Sequence, residues 1–69
     1  MIKELVGKRI RELRKQQLIS QEDLAEKADL DRTYITSVEC GKRNISIENL
    51  YRIANALDVT MEELFRGVE

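Results

Sequence analysis

The sequence has no proline, no histidine, one cysteine and only three glycines in 69 residues. Without proline, and with Leu, Ile, Ala, Glu, Lys and Arg abundant, nothing interrupts helix formation, and the composition favours helices throughout. A single cysteine, Cys40, forms no internal disulfide, which excludes the stapled scaffold of a small secreted domain and makes the cytoplasm the expected compartment. Without histidine, Cys40 has no candidate base, and no carboxylate pair is clearly set in a pocket. The chain is therefore not expected to be an enzyme or to hold a metal or cofactor. No apolar run approaches the roughly 20 residues that span a bilayer, and residues 1–15 alternate charge with hydrophobe and lack a signal-peptide core.

Hydrophobic residues make up 42% and charged residues 36%, the balance of a folded domain and not of a disordered chain. The length corresponds to one domain, residues 1–69. A core of this size buries only about 60% of the unfolded surface, so stability should be modest. The net charge is −1, but the charges are sorted along the chain. Residues 1–19 carry Lys3, Lys8, Arg9, Arg11, Arg14 and Lys15 against two glutamates. Residues 20–31 hold five acids and one lysine. Residues 32–52 are again net basic, through Arg32, Lys42, Arg43 and Arg52, and residues 53–69 are net acidic. A field acts by location, so a near-neutral total still allows a basic face.

Apolar periodicity predicts five helices. Ile2, Leu5, Val6, Ile10 and Leu13 place the first over residues 2–16. Ser20 caps a short second helix, 21–28, whose inner stripe is Leu24, Ala25 and Ala28. Asp31 is the expected cap of a third, 32–40, which Gly41 ends in a left-handed conformation. Ser46 caps the fourth, with Leu50, Ile53, Ala54 and Leu57 on its inner face. Thr60 and Glu63 form the capping box of the fifth, which carries Met61, Leu64 and Phe65. The acidic group Glu22, Asp23 and Glu26 reads as the solvated face of the second helix.

About three residues separate the second and third helices, the spacing of a helix-turn-helix as well as of structural bundles. On the third helix, Ile35, Val38 and Glu39 share one side at about 100° per residue. Arg32, Thr33, Thr36, Ser37 and Cys40 share the other, and Tyr34 falls between. The outward arc has no large aliphatic residue and no acid, and offers Arg, Thr and Ser for base edges in a DNA groove. A plain solvated surface would more often use Glu, Lys or Gln. Gln21 opens the second helix, where free N–H groups attract an anion. Lys42, Arg43 and Asn44 follow the third helix and read either as a solvated loop or as a second phosphate clamp.

The run "SQEDLAEKA", then "DRTYI", then a glutamate and "GKRNIS", resembles the XRE family of bacterial and phage transcriptional regulators, the lambda-repressor-like DNA-binding domains. The likeness spans roughly residues 5–66, and "LDRTYI…E…RN" is similar to the controller proteins of restriction–modification systems. The resemblance implies an all-α five-helix domain that dimerises on palindromic double-stranded operator DNA. It implies that Gln21 touches phosphate and base edges, and that Arg32, Thr33, Thr36 and Ser37 face bases and backbone. Tyr34 meets the DNA backbone, Arg43 approaches the DNA beside the recognition helix, and Lys42 and Asn44 contact phosphate. It also implies a partly buried salt bridge between Arg14 and Glu39. Two positions depart from the family: Asp29 stands where glycine is usual, and Cys40 where a polar residue is usual. Cys40 is open to two readings, an inert helix-end residue or a redox-sensitive one.

Arg14 lies beside the buried row of the first helix and Glu39 beside Ile35 and Val38, so each charge is expected to answer the other. A single helix-turn-helix reads about half a turn of DNA, which calls for a homodimer. The apolar residues beyond a three-helix core, Leu57, Val59, Met61, Leu64, Phe65 and Val68, are the expected source of its two-fold interface. RNA polymerase is a further candidate partner. The sequence also leaves open a phage-type repressor, an antitoxin-like regulator, or a helical protein-interaction module.

Overall fold

In the computed structural model, which describes residues 1–68, the order of elements is α1 (Ile2–Gln16), α2 (Gln21–Ala28), α3 (Arg32–Glu39), α4 (Ile47–Ala56) and α5 (Met61–Leu64). Glu69, the last residue of the expected domain, lies outside the described residues. The described residues form helices, turns and loops and no strand.

Ser20, Ser46 and Thr60 each accept a hydrogen bond from the third residue of the following helix, as their spacing predicts. Asp31 stands at the N-cap of α3, but its side chain makes no capping bond. In the capping box of α5, the main-chain N–H of Thr60 and then its hydroxyl hold the Glu63 carboxyl below the usual carboxylate range.

The four long helices end alike. In each, the amide five residues along bonds back to a carbonyl of the last turn: Ile19 to Arg14, Leu30 to Ala25, Lys42 to Ser37, and Val59 to Ala54. This Schellman geometry requires a left-handed residue. The positions are filled by Leu18 (φ 59°), Asp29 (φ 57°), Gly41 (φ 73°) and Asp58 (φ 58°). Asp29 thus makes the left-handed turn without a glycine.

The core consists of Val6, Ile10 and Leu13 from α1; Leu24, Ala25 and Ala28 from α2; Ile35 and Val38 from α3; and Ile53, Ala54, Leu57 and Leu64 beyond. Burying each of the larger side chains contributes about 1.5–3 kcal/mol, so no single contact holds α3 in place. The stripe of α1 is narrower than its periodicity suggests, because Ile2 and Leu5 are exposed. Gly7 is buried in their place, and a β-carbon there would collide with the carbonyl oxygen of Val38. The missing side chain brings the backbone of α3 directly onto α1.

Two side chains of α1 tie down the C-terminal half. Arg9 donates to the carbonyls of Leu64 and Glu63, at 3.2 and 2.8 Å. Gln17 donates to the carbonyl of Leu57 at 2.6 Å. Both side chains bond to main-chain carbonyls at helix ends.

Candidate nucleic-acid interface

Helices α2 and α3, joined through Asp29, Leu30 and Asp31, present α3 with its apolar side inward. Ile35 and Val38 are fully buried. On the other side Arg32 and Thr33 are exposed, Thr36 and Ser37 are half-buried, and Cys40 is exposed as the C-cap residue. Tyr34 is half-buried between the two faces. Lys42, Arg43 and Asn44 form an exposed loop directly after α3. The Arg43 guanidinium lies over the Tyr34 ring, 4.7 Å from its centroid, close enough for a cation–π attraction. That contact ties the loop to α3, beside the bond from the Lys42 amide to the Ser37 carbonyl.

A polar network lies beneath this face. Arg14 donates from Nε to Glu39 Oε2 at 2.7 Å and from NH2 to Oε1 at 3.0 Å, a bidentate pair. Its NH1 donates to the Ile19 carbonyl at 2.9 Å. The Glu39 side chain is 2% exposed and that of Arg14 11%. The hydrogen bonds that Arg14 donates to Glu39 raise the pKa of Arg14 against the opposing effect of burial. A carboxylate this deeply buried depends on its partners, because desolvation alone would be costly.

Gln21 extends the network. Its Nε2 donates to Glu39 Oε1 at 3.1 Å, and its Oε1 accepts from the Thr36 hydroxyl at 3.0 Å. Expected as a DNA contact, Gln21 is therefore also a strut between α2 and α3, with one of its amide protons committed to Glu39. The sequence did not reveal this second role, because Gln21 and Thr36 are 15 residues apart and no periodic pattern links them. Among the described residues no buried side-chain nitrogen or oxygen lacks a partner.

Two of the residues expected in a dimer interface are placed elsewhere. Leu57 and Leu64 have no exposed surface and belong to the monomer's own core. They cannot contact a second copy directly. Val59, Met61, Phe65 and Val68 are half-buried against that core. Ile47 and Tyr51, which the residue pattern did not single out, are 76% and 59% exposed and lie one turn apart on α4. Their i, i+4 spacing outside the inner stripe of α4 was the available signal.

The described residues contain no group of His, Cys, Asp or Glu that could hold a metal ion, and no helix is long and apolar enough to cross a membrane.

A helix with a bare polar face, seated by its apolar face on a second short helix and flanked by a basic loop, defines a helix-turn-helix DNA-binding domain. The helix-turn-helix family model matches residues 10–64, and the chain belongs to this XRE-type family of transcriptional regulators. It is 46% identical over 69 residues to the control protein C.MunI of a Mycoplasma species, an alignment covering 99% of this chain and 93% of the relative. The crystal structure of the restriction–modification controller protein C.AhdI from Aeromonas hydrophila superposes with a TM-score of 0.89 at 46% identity, covering 91% of this chain and 96% of that one. The restriction–modification controller protein C.Esp1396I, crystallised as a tetramer on its natural 35-base-pair operator, superposes with a TM-score of 0.92 at 35% identity, covering 99% and 90%. The five-helix architecture is shared with these controller structures.

Proposed function

We propose that this regulator binds a palindromic operator as a homodimer in the cytoplasm and controls a restriction–modification operon. The observation that carries the reading is the polar face of α3, backed by the Arg14–Glu39–Gln21 network. A reading surface is useful only if its angle is held, and this one is held from beneath by charge-assisted hydrogen bonds. In this reading Arg32, Thr33, Thr36 and Ser37 meet base edges. Gln21, Tyr34, Lys42, Arg43 and Asn44 meet phosphate and adjacent bases, setting the register. The likeness to the control proteins supports the operon assignment.

The dimer would use the outer side of α4, where Ile47 and Tyr51 are exposed, together with Val59, Met61 and Phe65. Two large exposed hydrophobes one turn apart on a helix suit a self-complementary two-fold contact. Repression or activation would follow from operator position, with RNA polymerase as the partner where the protein activates.

Selection from random duplexes tests the reading. The expected result is a palindrome with half-sites about one helical turn apart, bound with an affinity that falls steeply as salt rises. Failure to enrich any sequence, or binding insensitive to salt, would overturn it in favour of a protein-interaction module.

A further inference from the structure

Thr36 has a specific part in sequence readout, fixed by where its single hydroxyl proton goes. Its Oγ1 lies 3.0 Å from Gln21 Oε1 and 3.0 Å from the main-chain carbonyl oxygen of Arg32. Both neighbours are acceptors, and neither has a proton to give. The orientation of the Gln21 amide is dictated by charge. Its Nε2 must face the Glu39 carboxylate, 3.1 Å away, since the opposite orientation would set oxygen against oxygen. The oxygen end of the amide therefore faces Thr36. Whichever neighbour takes it, the Thr36 proton points into the protein, and only lone pairs remain for the groove.

Glu39 makes that oxygen a better acceptor. Its carboxylate polarises the Gln21 amide, and the amide in turn polarises the Thr36 hydroxyl, as happens along hydrogen-bond chains in a partly dry site. Resting on the DNA-reading role proposed above, we infer that Thr36 acts as a hydrogen-bond acceptor in the major groove and selects a base with an exocyclic amino group, adenine N6 or cytosine N4. These are the donors on the major-groove edges of the bases, whereas guanine presents only acceptors, N7 and O6. To read guanine, Thr36 would have to withdraw its proton from Gln21 or Arg32 and leave that bond unmade. The buried ion pair, distant from the groove in chemical terms, thereby sets the sign of a contact on the surface.

The test uses the half-site obtained by selection. Each adenine in it is replaced in turn by purine and each cytosine by 2-pyrimidinone, which removes the amino group alone. Each guanine is replaced by 7-deazaguanine, which removes the N7 acceptor. Dissociation constants are measured for the wild type, Thr36→Val and Thr36→Ser, with far-UV circular dichroism confirming that each variant is folded. Expected is one position at which deleting an amino group weakens wild-type binding about three- to tenfold, the size of one hydrogen bond. Thr36→Val should show no loss there, and Thr36→Ser should retain it. Purine sensitivity would identify adenine and pyrimidinone sensitivity cytosine. The inference is overturned if Thr36→Val loses as much as wild type at every amino group, or if its loss is coupled to 7-deazaguanine instead. Failure to enrich any half-site would overturn the regulator reading itself, whereas an enriched half-site without this coupling overturns only the role of Thr36.

Discussion

Gly7 of α1 lies against the main-chain carbonyl of Val38 in α3, with no room between them for a β-carbon, which would also stand 3.2 Å from the Glu39 carbonyl oxygen. Two effects oppose each other when this glycine becomes alanine. Helix propensity favours alanine by about 0.8–1 kcal/mol. Overpacking a well-filled contact costs about 1–3 kcal/mol, and here the obstacle is backbone, which cannot rotate away. Gly7→Ala should therefore be net destabilising, by up to about 2 kcal/mol in urea denaturation. It should also weaken operator binding beyond the loss of folded protein, because the helix displaced is α3. A variant as stable as wild type would show that the α1–α3 contact is loose.

Arg14 and Glu39 are predicted to be strongly coupled. Arg14→Met leaves a buried carboxylate short of its bidentate partner and should cost about 3–5 kcal/mol. Glu39→Leu leaves Arg14 unpaired and removes the acceptor of Gln21. The double variant Arg14→Met, Glu39→Leu should be far less destabilised than the sum of the single changes, since a buried apolar pair is often as stable as the ion pair it replaces. Its operator affinity should nonetheless fall, because Gln21 and Thr36 lose the carboxylate that orients them. Additive stabilities would refute the coupling.

Leu18 is predicted to be a stabilisation site. It holds a left-handed conformation (φ 59°) while 93% exposed, so its side chain bears the cost of that backbone with almost no compensating burial. The left-handed region costs an L-residue roughly 1–2 kcal/mol, and glycine gives back about 0.5–1 kcal/mol as unfolded-chain entropy. Leu18→Gly should gain about 0.5–1 kcal/mol, a rise of several degrees in Tm for a domain of this size. Leu18→Asn, which tolerates the same conformation, should also gain. A fall in Tm for both variants would mean that Leu18 makes an interaction beyond the monomer.

Tyr51→Glu and Ile47→Glu are predicted to abolish dimerisation while leaving the fold intact, because both side chains are largely outside the core. A charge on each copy of a two-fold interface meets its own image. Sedimentation at micromolar concentration should report monomers, and operator affinity should fall by more than tenfold. Val59, Met61 and Phe65 are poorer choices for this experiment, since each also packs against the monomer's core.

The helices, their order and most of their ends were legible because they arise from local chemistry. Ser20, Ser46 and Thr60 act within three residues of themselves, and Gly41 answers a backbone requirement at its own position. The polar face of α3 is likewise a consequence of 3.6-residue periodicity. The Arg14–Glu39 pair could be anticipated because each charge lies beside its own helix's apolar stripe. Asp31 shows the limit of local reasoning: the right residue type stands at the cap without making the capping bond.

Tertiary structure alone decided the rest. Gly7 appears in the sequence as an ordinary weak spot in a helix, and only the approach of α3 makes it necessary. Leu57 and Leu64 were candidates for a partner surface, and the folded α4–α5 corner takes both into the core, leaving Ile47 and Tyr51 outside. Gln21 and Thr36 are 15 residues apart, yet share a hydrogen bond because the turn through Asp29 brings α3 across α2. Periodicity tells which side of a helix is apolar, but which polar atoms meet across helices depends on their separation and crossing, and no local rule encodes those.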